Sequence, residues 1–366
     1  VRKKGFFLGI AQKKEVDLQG HPVFPVIGIT MGDPSGIGPE IVLKSVAREE
    51  VREVCVPVIV GKRYYLEKLT EYLGLSLRFS SLPKLSAEAL PLGSIPCVEP
   101  ADLSFPTDAV GVCSPAAGRA ALSCLREAAT LCFRRRLDGL VTAPVSKEAI
   151  RAGGVPFSGH TEFLRELTGV PRTGMLFTTP TVKVGLFTTH TALREAIERV
   201  RKEALAEAIR FFFRETVSLF GEKPRIAVAS LNPHAGEGGA FGREEEEEIR
   251  PAVSQCAREG IPVEGPFPAD TLYIMAKRGR FNFLLFLFHD QAMILVKALF
   301  FRNAVNVTLG LPFPRTSPAH GVAFDLAGKG RADASSMVEA ILQCARLCLR
   351  KTRAVDEQES PENSEH

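Results

Sequence analysis

Val26-Ile-Gly-Ile-Thr-Met-Gly-Asp-Pro-Ser-Gly-Ile-Gly-Pro-Glu40 starts as an apolar run of strand length and ends in a Gly- and Pro-punctuated turn that opens a helix-like segment. The same order recurs along the chain. Leu140-Val-Thr142 runs into Ala143-Pro-Val-Ser-Lys147, and Val182-Lys-Val-Gly-Leu-Phe187 into Thr188-Thr-His-Thr191. Ile226-Ala-Val-Ala229 runs into Ser230-Leu-Asn-Pro-His-Ala-Gly-Glu237, and Phe283-Leu-Leu-Phe-Leu-Phe288 into His289-Asp-Gln291. Runs that are apolar almost throughout, such as Ile226–Ala229, suit strands covered on both faces. Short apolar runs alternating with longer helix-like stretches predict βαβ units and a mostly parallel sheet, hence an α/β fold.

In an open α/β sheet the ligand crevice lies beyond the carboxyl ends of the strands. Three of these runs deliver a histidine there: His190, His234 and His289. Of the seven histidines, His21 and His366 lie in the terminal arms, while His160, His190, His234, His289 and His320 all sit in polar, Gly- or Pro-punctuated segments. Neutral imidazole is a good ligand for zinc and neighbouring divalent ions, and three protein ligands leave a position open for substrate. Any single histidine is more often structural, and the spacing is long-range, so the residues alone leave both readings open.

The turn Gly32–Glu40 has the form that presents backbone N–H groups to an anion, although it matches neither a Walker A loop nor GxGxxG, because Ile41 stands where the last Gly or Ala belongs. A plain strand-to-helix turn is the alternative. Further on, Thr308-Leu-Gly-Leu-Pro-Phe-Pro-Arg315-Thr-Ser-Pro-Ala-His320 carries one Arg whose fork could grip a phosphate or carboxylate. Lys297 follows an apolar run. Burial there would lower its pKa toward base chemistry; the alternative is a lysine that snorkels to water. Glu244–Glu248 reads as a solvated face at a helix start.

Composition narrows the class. The chain has 366 residues, 45% hydrophobic and 24% charged, the balance of a globular protein with a sizeable core. A net charge of +4 is too small to argue for nucleic acid, and no basic stripe is interleaved with aromatics. The eight cysteines form no CxxC pair and read as reduced core thiols of a cytoplasmic protein. The start, Val1–Ala11, faintly resembles a signal peptide but runs into Lys13-Lys14-Glu15 without a small-residue cleavage site, and reads as a flexible extension. The apolar stretch Phe281–Phe301 contains Asn282, His289, Asp290, Gln291 and Lys297, which argue against a membrane span. The acidic tail Asp356–His366 reads as disordered.

Taken together, Gly32–Glu40, Ser158-Gly-His-Thr-Glu-Phe163, Thr188-Thr-His190, Leu231–Gly239, Gly265-Pro-Phe-Pro-Ala-Asp-Thr271, His289-Asp-Gln291 and Asn306-Val-Thr-Leu-Gly-Leu-Pro312 resemble the 4-hydroxythreonine-4-phosphate dehydrogenase family of pyridoxal phosphate biosynthesis. The resemblance runs from about Ile27 to about Ile341. It implies two α/β/α domains around a central cleft, as in isocitrate and isopropylmalate dehydrogenases. Residues 23–140 and 300–352 would form the first domain and 141–299 the second, with arms 1–22 and 353–366 outside them. It also implies a homodimer whose active site draws on both subunits, with neither nucleic acid nor membrane as partner.

The residue roles follow from the resemblance in the same way. His190, His234 and His289 match the metal ligands, for one divalent ion (zinc, magnesium or cobalt). His160, Thr161, Lys297, Asn306 and Arg315 match substrate contacts, and Lys297 is the candidate catalytic base. The segment His320–Asp333 is similar to an adenosine-binding loop, which makes His320, Gly321, Ala323 and Asp333 candidate contacts to NAD or NADP. Asp333 stands where an Asn is common, so the choice of cofactor stays open. The implied reaction is oxidation of 4-phosphohydroxy-L-threonine to 2-amino-3-oxo-4-phosphobutanoate, which decarboxylates to 3-amino-2-oxopropyl phosphate. Two alternatives remain: a dehydrogenase of threonate or erythronate 4-phosphate, and an inactive metal- or phosphate-binding protein on the same scaffold.

Overall fold

The computed structural model describes residues 24–82, 93–107 and 109–359, so the N-terminal extension and residues 360–366 of the expected tail lie outside the described residues. The strands are β1 (Val26–Thr30), β2 (Val56–Val60), β3 (Phe79–Ser81), β4 (Ile95–Val98), β5 (Gly139–Thr142) and β6 (Gly174–Thr178). They continue with β7 (Lys183–Leu186), β8 (Ile226–Ala229), β9 (Val263–Phe267), β10 (Phe283–Phe286), β11 (Val305–Leu309) and β12 (Arg315–Pro318). All pair into one sheet in the order β3-β4-β2-β1-β5-β12-β11-β6-β7-β10-β8-β9.

The fold is α/β, with helices on both sides of this sheet. Strands β3 to β12 of that order are parallel neighbours, and so are β7, β10, β8 and β9. The centre departs from the expected parallel pattern: β12–β11, β11–β6 and β6–β7 pair antiparallel. The cause is local. Residues 179–182 and 310–314 are connections too short for a parallel crossover, which needs a dozen residues or more, so each pair turns back as a hairpin.

Alternation explains the unbroken apolar strands. In β10, Phe283 and Leu285 join the large core cluster, while Leu284 and Phe286 join a second cluster with Ala292, Met293 and Val296 on the opposite face. Both faces are buried, so no polar register appears in the sequence. The Phe281–Phe301 stretch resolves into β10 and the helix His289–Phe300. Among the described residues no helix is long and apolar enough to cross a membrane. The last helix, Ser335–Glu359, runs past residue 352, the end assigned to the first domain.

The turn after β1 takes the plain alternative. Met31, Asp33, Gly36 and Ile37 donate their N–H groups to Val60, Pro144, Asp33 and Val322 carbonyls, and Ser35 N–H goes to Asp33 Oδ1. Those donors are spent on holding strand to helix and are not offered to an anion. A Cβ on Gly38 would stand 2.6 Å from the Met31 carbonyl oxygen, which is why glycine is needed there. No disulfide joins any of the eight cysteines; Cys113 is exposed and the other seven are buried.

Candidate functional site

The carboxyl ends of β5 and β7, together with the hairpin strands β6, β11 and β12, open onto a cavity of about 230 Å³. Most of the residues expected at the site line it: His160, Thr161, His190, His289, Lys297, Asn306, Arg315, His320 and Gly321. Four of them carry a buried polar atom with no partner: His160 Nε2, Asn306 Oδ1, Arg315 Nε and His320 Nε2. Leaving a buried polar group unsatisfied costs about 1–3 kcal/mol. Four such atoms around one cavity mark it as a place where a polar ligand completes the bonding.

Arg315 is fixed by the sheet. It sits at the start of β12, is 1% exposed, and donates through Nη1 to Thr308 Oγ1 at 2.9 Å and through Nη2 to Thr142 Oγ1. Burial lowers its pKa to about 10, with Glu162 pulling the other way, so it is cationic at neutral pH. His160 opens the helix His160–Thr168, whose first N–H groups have no partner within the helix and face the cavity together with Thr161. Burial, then the charges of Arg315 and Lys147, hold the His160 pKa well below its usual value. The ring is therefore neutral at pH 7.

His190 and His289 stand side by side, with ring centroids 5.8 Å apart. Burial first, then Lys147 and His289, lower the His190 pKa, against an opposing effect of Glu162. His289 Nδ1 lies 2.7 Å from Asp290 Oδ1, an arrangement that leaves Nε2 as the free ring nitrogen. Two imidazoles so placed are nitrogen donors of the kind a divalent cation takes.

Several expected placements are not met within one chain. His234 follows β8, next to β10 in the sheet, but does not line the cavity. Residues His234–Gly238 take left-handed backbone angles, and Glu245 Oε1 accepts from the Leu231 and Asn232 N–H groups. The turn so held places the exposed His234 ring 6.3 Å from that of Phe241. Among the described residues no group of three His, Cys, Asp or Glu side chains comes together to hold a metal ion. Lys297 lines the cavity but is exposed, so the burial expected to make it a base is absent. Ala323 and Asp333 lie off the cavity; Asp333 instead binds Ser335 and pairs with Arg302 at 3.3 Å.

The cavity also holds residues not singled out from sequence. Lys147 lies just beyond the β5 run, and Glu162 two residues after His160; Glu162 is the one carboxylate among the lining residues. Their signal was position at the end of a strand and in the first turn of a helix, where charged side chains reach the crevice.

Residues 53–344 match the family described as pyridoxal phosphate biosynthetic protein PdxA. The D-threonate 4-phosphate dehydrogenase of Cupriavidus necator is 42% identical over 332 residues, 89% of this chain and 98% of that protein. The 4-hydroxythreonine-4-phosphate dehydrogenase of Geobacter metallireducens is 42% identical over 327 residues, 89% of this chain and 96% of that protein. The crystal structure of a 4-hydroxythreonine-4-phosphate dehydrogenase from Burkholderia phymatum is similar with a TM-score of 0.75 at 41% identity, covering 89% of this chain and 98% of that one.

Proposed function

The chain belongs to the family of the pyridoxal phosphate biosynthetic protein PdxA, and from that footing we propose that it is a metal-dependent, NAD(P)-linked dehydrogenase of 4-phosphohydroxy-L-threonine. The observation that carries this reading is the set of unpartnered atoms of His160, Asn306, Arg315 and His320 around one cavity lined also by Lys147 and Lys297. Arg315 Nε, Lys147 and Lys297 offer donors and positive charge to the phosphate and carboxylate of a small ligand, and Asn306 Oδ1 offers an acceptor to its hydroxyl or amine. The helix start at His160–Thr161 and the Arg315 fork hold the phosphate end.

His190 and His289 would hold the divalent ion, with His234 of a second copy completing the donor set. When bound, such an ion would supply the positive charge that lowers the pKa of the 3-hydroxyl, and a nicotinamide cofactor would supply the hydride acceptor. Lys297, exposed at the cavity wall of the single chain, would take the hydroxyl proton once a second copy covering the cleft removes it from water. His320 and Gly321, which line the same cavity, would contact the cofactor. The 2-amino-3-oxo-4-phosphobutanoate formed then loses carbon dioxide, giving 3-amino-2-oxopropyl phosphate.

Several features support a homodimer built around this face. Ile294 and Phe301, from the helix that carries Lys297 and from its end, are 71% and 56% exposed, and Leu193 beside His190 is 55% exposed. Apolar side chains clustered at a cleft are characteristic of an association surface. Two domains, residues 23–140 with 300–352 and residues 141–299, would flank the cleft. Eight cysteines with no disulfide among them suit a cytoplasmic setting.

A second reading has its own support. A relative as similar as any above is named for D-threonate 4-phosphate. That substrate differs at carbon 2, where a hydroxyl replaces the amine, and the metal, phosphate and hydride parts of the site would serve both. NAD reduction followed by absorbance, with 4-phosphohydroxy-L-threonine and with 4-phosphothreonate, each with and without chelator, tests the two. Chelator-sensitive turnover favouring the amino acid supports the first reading, and preference for the sugar acid supports the second. No turnover with either in metal-loaded protein overturns both.

A further inference from the structure

A second cavity, of about 340 Å³, shares no lining residue with the first. It lies at the amino ends of β7 and β10, where Lys183 and Asn282 line it, whereas His190 and His289 of the first cavity follow the carboxyl ends of the same two strands. One stripe of the last helix, Ser335–Glu359, also lines it: Gln343, Arg346, Leu347 and Arg350 recur at helical spacing. Leu347 and Phe220 add buried apolar surface.

The charges around this cavity do not balance. Lys183 Nζ lies 2.6 Å from Glu222 Oε1 and 4.8 Å from the centre of the Phe220 ring, so that lysine is spent on the one carboxylate among the lining residues. Arg350 donates through Nη1 to the Phe220 carbonyl at the end of the helix Lys202–Phe220, and among the described residues its other nitrogens have no partner. Arg346 is exposed and makes no hydrogen bond or ion pair among the described residues; Glu339, which feels its charge, lies off the cavity. Two positive charges are therefore left over. Asn282 Oδ1 accepts from the Arg225 N–H, which leaves the Asn282 amide nitrogen as a further donor.

We propose that this cavity binds a small phosphate monoester, its phosphate held between Arg346 and Arg350. The two side chains leave the helix one turn apart, with Cβ atoms roughly 5–6 Å from each other. A phosphate has three terminal oxygens and can accept from both guanidinium forks, whereas the two oxygens of a carboxylate are filled by one fork. The cavity has room for more than the phosphate. Asn282 and the apolar surface of Leu347 and Phe220 suit a small organic body carrying a hydroxyl. The inference does not rest on the dehydrogenase reading, since the two cavities have no residue in common.

Calorimetric titration of the full chain with glycerol 3-phosphate, inorganic phosphate and succinate tests it. Glycerol 3-phosphate should bind saturably and more tightly than inorganic phosphate, and succinate more weakly than either. Arg346→Ala, at an exposed position, should weaken glycerol 3-phosphate roughly 10–100-fold, the worth of a hydrogen bond to a charged group, and Arg346→Lys should weaken it less. Arg315 offers a phosphate a different site, so the same titration in Arg315→Lys assigns the signal: binding at this cavity persists there and is lost in Arg346→Ala. Equal affinity for inorganic phosphate overturns the ester in favour of the free ion, and succinate binding as tightly overturns the phosphate. Absence of saturable binding, or an affinity unmoved in Arg346→Ala, overturns the site itself.

Discussion

The rings of His190 and His289 lie with centroids 5.8 Å apart and planes tilted by 42°. They are brought together by the parallel register of β7 with β10, in which Leu186 stands opposite Phe286. Each ring hangs just past the end of its strand, so the sheet itself sets their separation. Replacing His190 with Ala should therefore remove bound metal and turnover together. Losing a direct donor should cost more than the roughly 10–100-fold typical of outer-shell changes. Metal content by atomic spectroscopy, read alongside the rate, checks this; a variant with normal metal content and normal turnover would sink the metal scheme.

Arg315 is held by Thr142 and Thr308 on the strands either side of β12. Lys in its place keeps the charge but not the fork. Arg315→Lys should raise KM for the phosphorylated substrate roughly 10–100-fold, the worth of a hydrogen bond to a charged group, and lower kcat less. An unchanged KM would place the phosphate elsewhere.

His160 should be neutral throughout the physiological range, since burial, Arg315 and Lys147 all hold its pKa well below 6.5. Between that lowered value and 6.5 the unfolded chain takes up a proton that the folded chain refuses. Stability from this residue is therefore present above 6.5 and lost as the pH falls. Ring-nitrogen NMR of His160 should show no titration step near pH 6.5 in the free protein. A step should appear at higher pH with a bound phosphate ester, whose charge offsets the two cations. A normal titration curve in the free protein would contradict the buried placement.

Asp33 is fully buried, and burial raises its pKa from 3.8 to about 6, against hydrogen bonds from Ser35 and Ser146. Between those values the unfolded chain has released a proton that the folded chain keeps, so stability falls as pH rises through the window. Asp33→Asn should gain about 3 kcal/mol relative to the parent between about pH 3.5 and about pH 7, taking about 1.4 kcal/mol per unit. The difference between the two denaturation curves isolates this slope from any constant cost of the amide. A flat difference across that range would show an ordinary carboxylate.

The helices Pro115–Phe133 and Lys147–Ala152 touch at Gly118, where a Cβ would stand 2.3 Å from the Ala149 carbonyl carbon. Backbone cannot yield as a flexible side chain can. Gly118→Ala should cost about 1–3 kcal/mol, the usual range for overpacking, although alanine is the better helix former. Thermal melting measures it. Because Lys147 heads the second helix and lines the cavity, the substitution should also raise KM.

The strand-and-turn order of the sequence located β1, β5, β7, β8 and β10 and the residues at their ends, because apolar runs and Gly–Pro punctuation are local signals. The antiparallel centre was not visible at that level: an apolar run buried on both faces looks the same whichever way its neighbour points. The cavity was legible in part. His160, Arg315 and Asn306 belong to motifs read from the chain, whereas Lys147 and Glu162 became site residues only by facing it.

His190, His234 and His289 read alike as residues at strand ends, and the sequence by itself determined that each would reach the same edge of the sheet. Only the tertiary structure decided which of them meet. The register of β7 on β10 joins two, while a left-handed turn anchored by Glu245 carries the third away. The same holds for Lys297: in the helix that carries it Ala292, Met293 and Val296 turn inward, while Ile294, Leu299 and the lysine stay in solvent. Strand and turn propensities act over a few residues. The meeting of side chains distant in sequence depends on strand order, register and the direction each loop takes, which packing of the whole sheet sets.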